Sequence, residues 1–96
     1  MLSKNPIDLS RKLEGEFLVQ ALRYALIGEL DAINQYLQLA NAVTDEDVRK
    51  VLIDIANEEK VHVAELLTLI RKLDKEQQSA FEKGAKEVSE LTKGRF

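Results

Sequence analysis

Cysteine is absent from this 96-residue chain. That absence removes disulfides, thiolate zinc sites, iron–sulfur clusters and rubredoxin-type iron centres. Any metal the chain holds must therefore be bound through oxygen and nitrogen. Proline occurs once, at Pro6, and glycine four times, so little interrupts helix formation, and no two-residue alternation competes with the helical period. Tryptophan is missing and aromatic residues make up 5% of the chain, too few for a base-stacking surface. The net charge of −3 leaves no basic face to neutralise phosphates, which excludes a nucleic-acid partner. No apolar run reaches the length of a bilayer span and the N-terminus shows no signal-peptide hydrophobic region, so no membrane partner and a cytoplasmic location are expected.

What is present is helical from end to end. Residues 1–12 read as an irregular leader, with a turn at Asn5-Pro6. A first helix is expected over 14–43, on the order of 45 Å long at 1.5 Å per residue. Thr44-Asp45-Glu46-Asp47 ends it: Thr44 stands as the N-cap of a second helix over 45–73, and the acidic residues fill that helix's positive first turn. Asp74, with Gln77 at the capping-box position, starts a short third helix over 75–92. Gly84 lies inside this helix and weakens it by about 1 kcal/mol relative to alanine. The fold class is all-α: one domain over 1–96, an antiparallel two-helix hairpin with a short C-terminal helix.

Two stripes carry the chemistry. On the second helix Val48, Leu52, Ile55, Glu59, His62, Leu66, Ile70 and Leu73 follow one another mostly at three- and four-residue spacings. Glu59 and the only histidine, His62, interrupt an otherwise apolar seam. On the first helix the stripe runs Leu18, Leu22, Ala25, Glu29, Ile33 or Ala32, Tyr36, Ala40 and Val43, with Glu29 the one charge. Its polar face holds Glu16, Gln20, Arg23, Asp31, Asn34, Gln38 and Asn41. Val19, Leu26, Ile27, Leu30 and Leu37 add more apolar surface than a hairpin can cover, so burial calls for a second chain. Buried carboxylates and imidazole without a partner are costly or become neutral, and a metal ion compensates them.

Glu29 lies fifteen residues before Thr44 and Glu59 fifteen after it, so an antiparallel hairpin brings them to one level. Four-helix di-iron carboxylate proteins use a glutamate from each of two helices and Glu-x-x-His from each of the other two. This chain carries half of that inventory. Two chains about a two-fold axis supply four glutamates and two histidines, a site for two irons per dimer, one per chain. Carboxylates and imidazole suit iron, and they fit manganese and zinc too. Taken singly, each piece has a plainer reading: Glu-x-x-His as a surface ion pair, Glu29 as an edge residue reaching water, Tyr36 as core, and Glu58, Asp31 and Asp54 as solvated charges.

Gly28-Glu29-Leu30-Asp31-Ala32 followed by Tyr36, and Asn57-Glu58-Glu59-Lys60-Val61-His62-Val63 after the turn, resemble the encapsulated ferritin-like proteins. Met1-Leu2-Ser3-Lys4-Asn5-Pro6 and the segment 86–92 are similar to the archaeal branch, in which such a domain is joined to an encapsulin shell protein. The resemblance implies a ferritin-like four-helix bundle completed by dimerisation. It also implies a ferroxidase whose Glu29, Glu59 and His62 from both chains hold two irons, with Tyr36 near the site. Further implications are assembly into a decameric ring aided by metal, and a mineral collected inside an encapsulin nanocompartment in the cytoplasm. Gly28 stands where family members often carry a glutamate that joins the counterpart of Asp31 in an outer metal site, so that site is reduced to Asp31 or absent. Gln35 replaces an aromatic residue of some relatives, and Lys93-Gly94-Arg95-Phe96 contains no recognisable targeting peptide.

Two functions of different kinds follow. One is an Fe(II):oxygen oxidoreductase for iron storage or detoxification. The other is a non-catalytic helical oligomerisation module whose Glu and His form a buried network that sets register. A rubrerythrin-like peroxidase is a weaker enzymatic alternative, because the cysteine-ligated iron domain is missing.

Overall fold

The computed structural model describes residues 7–96; the leader positions 1–6, including the expected Asn5-Pro6 turn, lie outside the described residues. Ile7 to Glu14 form turns and bends that lead into α1, Gly15–Ala42. Two further helices follow, α2 over Glu46–Leu73 and α3 over Lys75–Leu91, and no strand occurs among the described residues. α1 and α2 have 28 residues each and α3 has 17.

The hairpin turn is held from α2. Asp45, not Thr44, caps the second helix: its Oδ1 accepts from the Val48 backbone N–H at 3.0 Å. A carboxylate at the positive end of a helix dipole accepts a charge-assisted bond, which a threonine hydroxyl cannot equal, and Thr44 falls one position too early. α1 has no basic residue in its last turn, so its final carbonyls need donors from elsewhere. Arg49 provides them, donating from Nε to the Ala40 carbonyl at 3.0 Å and from Nη2 to the Val43 carbonyl at 2.6 Å. Its remaining arm pairs with Glu46 at 2.7 Å. One side chain thus ties the end of α1 to the start of α2.

α1 and α2 run antiparallel along each other, and the deepest residues are Val19, Ala40, Ala56 and Ile70. Ala56 is fully buried, so the seam on α2 passes through Leu52, Ala56, Glu59, Val63, Leu66 and Ile70 rather than through Ile55 and His62. Val48, Leu73 and His62, expected on that seam, are exposed, and so is Ala25 on α1. Two helices alone cover only a narrow strip of each other. Beside the seam a second apolar row remains on α2: the exposed Val48, Val51, Leu69 and Leu73 and the half-buried Ile55, with His62 at its middle.

α3 behaves differently. It runs against α2 with no close backbone approach to α1, and none of its residues is buried. Phe81, Val88 and Leu91 line one side of it and are exposed.

Candidate metal centre

Glu29 sits at the midpoint of α1, and Glu59 and His62 lie one turn apart on α2, so the hairpin register decides whether they meet. They do meet. His62 Nδ1 is 3.3 Å from Glu59 Oε2 and 3.6 Å from Glu29 Oε2. One ligand atom from each of the three residues falls within 4.8 Å of the others. Both carboxylates therefore face the same ring nitrogen, one from each helix. A single Nδ1–H can donate to one of them at a time, leaving the other carboxylate oxygens as free acceptors.

The group is less enclosed than an apolar seam would make it. The Glu59 side chain is 18% exposed, Glu29 29% and His62 48%. The glutamates lie at the edge of the α1–α2 seam, and the imidazole stands in the neighbouring exposed row. Three oxygen and nitrogen donors thus point at one space from one side, an incomplete shell for any metal that takes four or more ligands.

Tyr36 and Asp31, expected beside the site or in an outer one, are both half-buried. Asp31 is not in the cluster, since two residues along a helix turn it to the far side of α1 from Glu29. Glu58 and Asp54 are exposed and also outside it. Among the described residues no fourth His, Asp or Glu joins the three. A groove of about 640 Å³, lined by Leu18, Val19, Arg23, Leu73 and Asp74 among others, lies near the open end of the hairpin and contains none of them.

Comparison with known proteins gives a consistent answer. The EncFtn-like family profile matches residues 6–85. A ferritin-like–encapsulin shell fusion protein of Pyrococcus furiosus is 49% identical over 94 residues, covering 96% of this chain and 27% of that protein. The chain therefore spans about a quarter of that relative. The encapsulin nanocompartment cargo protein EncC of Myxococcus xanthus is 32% identical over 96 residues, 98% of this chain and 74% of that one. EncB of the same organism, also named a cargo protein, is 38% identical over 65 residues, covering 68% of this chain and 41% of that one. Among solved structures, the crystal structure of an encapsulated ferritin domain from Pyrococcus furiosus superposes with a TM-score of 0.84 at 48% identity, covering 96% of each chain. The three-helix fold is that of the encapsulated ferritin domain, and this chain belongs to the EncFtn-like family.

Proposed function

We propose that this chain is a ferroxidase that oxidises Fe(II) to Fe(III) at a di-iron site formed between two subunits, for iron storage and detoxification inside an encapsulin nanocompartment in the cytoplasm. The observation that carries the reading is the convergence of Glu29, Glu59 and His62 within 4.8 Å, from two helices, on a side of the hairpin left open. A half shell of three ligands asks for a second half. The exposed apolar row of α2 that flanks His62 offers the surface on which a second copy would close it, completing a four-helix bundle. Relatives named as encapsulin cargo or as a fusion to an encapsulin shell support the compartment as the setting, and a decameric ring is the assembly proposed.

Iron is the substrate. Glu29 and Glu59 bind ferrous ions as anionic oxygen ligands, and with four carboxylates in a dimer they offset the charge of two dications. His62 binds through Nδ1, the nitrogen that faces both carboxylates, and holds the ligand geometry. Each ferrous ion gives up one electron, and dioxygen or peroxide accepts the pair. Tyr36 is proposed near this site, and Asp31 as the remnant of an outer one. Manganese and zinc suit the same ligands and would compete for them.

The test is to add Fe(II) without oxygen to metal-free protein, measure native mass and bound iron, and then admit oxygen. One iron per chain in dimers or their multiples, followed by a fast oxidation phase, is expected. Glu59→Ala and His62→Ala should each abolish that phase, and wild-type rates in both would overturn the assignment. A second reading has its own observation: His62 already lies within hydrogen-bond reach of Glu59, as it would in a purely structural network. That reading requires iron-independent assembly and tolerance of Glu29→Gln, whereas the ferroxidase needs the charge.

A further inference from the structure

Asp74 is the only non-helical residue between α2 and α3, and every polar part of it is in use. Its backbone N–H donates to the Ile70 carbonyl at 2.8 Å and closes α2. Oδ1 accepts from the Gln77 N–H at 3.2 Å and caps α3. Oδ2 pairs with the Arg23 guanidinium of α1 at 2.7 Å. One residue thus bonds to all three helices, while the backbone of α3 makes no close approach to α1. A second arginine steadies α3 from α2: Arg71 donates from Nε to Gln78 Oε1 at 2.5 Å, and its guanidinium lies 3.9 Å over the Phe81 ring.

Within one chain α3 has no buried residue and is held to α2 by Arg71, so its direction relative to α1 must come from the joint. The backbone of Asp74, at φ −117° and ψ 96°, is ordinary extended chain that many angles would satisfy. The carboxylate is what narrows the choice, because the oxygen that does not cap α3 is pinned to a different helix. We infer that Asp74 and Arg23 form a latch that aims α3 relative to the hairpin, with Asp74 as the joint and Arg23 as the positioning residue. The latch is made of charge rather than apolar contact. It can open without unfolding the hairpin, and opening it redirects the Phe81, Val88 and Leu91 side of α3. This inference does not depend on the metal chemistry.

The cysteine-free sequence allows clean spin labelling. Labels at Gln38→Cys on α1 and Lys86→Cys on α3, in protein diluted with unlabelled chains, report the angle of α3. Labels at Gln38→Cys and Lys50→Cys report the hairpin. The wild type should give one narrow α1–α3 distance. Asp74→Asn keeps a capping oxygen and loses the charge, and Arg23→Gln removes the other partner. Each should lose the single narrow distance while the hairpin distance and the helical circular dichroism stay as in the wild type. A narrow wild-type distance in both variants overturns the latch, and so does a broad distribution in the wild type itself. Should Arg23→Gln fail to fold, Asp74→Asn alone decides between these outcomes.

Discussion

Between α1 and α2 the chain uses three residues, Val43 to Asp45; between α2 and α3 it uses one, Asp74. Both joints place an aspartate as N-cap, with the side chain accepting the N–H three residues on, and both recruit arginine. The outcomes differ because of length and of what the arginine binds. Three residues let the chain reverse, and Arg49 then satisfies the carbonyls that α1 exposes at its end. The result is a long seam that buries Val19, Ala40, Ala56 and Ile70. One residue cannot reverse the chain, so α3 leaves α2 without running back along α1 and has no buried residue of its own. The same capping chemistry yields a packed element in one case and a projecting one in the other, so capping starts a helix but does not decide what it packs against.

That contrast can be tested at graded strength. Ile70→Ala should cost the most, about 2 to 5 kcal/mol, because it opens a cavity in a seam with few buried side chains. Urea unfolding at fixed protein concentration reads it, and a loss as small as that at an exposed site would mean that the seam does not dominate stability. Arg49→Met keeps the aliphatic stem and removes the donors to Ala40 and Val43. It should cost roughly 1 to 2 kcal/mol, since the freed carbonyls can turn partly to water. An unchanged midpoint would show that the turn is fixed by its length alone. Gly84→Ala has the smallest effect. A methyl group there meets no atom within 4 Å, so α3 should gain about 0.5 to 1 kcal/mol in helix propensity. Slower amide exchange in α3, with the hairpin unchanged, would mark α3 as energetically separate.

The helices and the antiparallel hairpin were legible because a 3.6-residue apolar period repeated over many turns leaves few alternatives. The level shared by Glu29 and Glu59 was legible because the two lie symmetrically about Thr44. Less was legible where the signal is weak or depends on a neighbour. Ala56 is fully buried, yet alanine carries little hydrophobic weight, so the seam was expected through Ile55 and His62, a fraction of a turn away. Asp45 and Thr44 are adjacent capping residues, and only the path of the turn separates them. The tie of Arg49 to the end of α1, and of Arg23 to Asp74, joins residues on different elements that no periodicity pairs. The half-exposure of His62 has the same origin, since a hairpin's own pattern does not say which apolar row is covered within one chain.

Ala56 lies less than one turn from Glu59, at the most enclosed point of the hairpin. Its methyl group works as a spacer of minimum thickness, letting two helix backbones run close enough for acidic side chains of ordinary reach to converge on one imidazole. Replacing it with a bulkier residue would push the backbones apart and separate Glu29 from Glu59 without altering either. The spacing of Glu29 and Glu59 thus depends on a side chain that carries no charge.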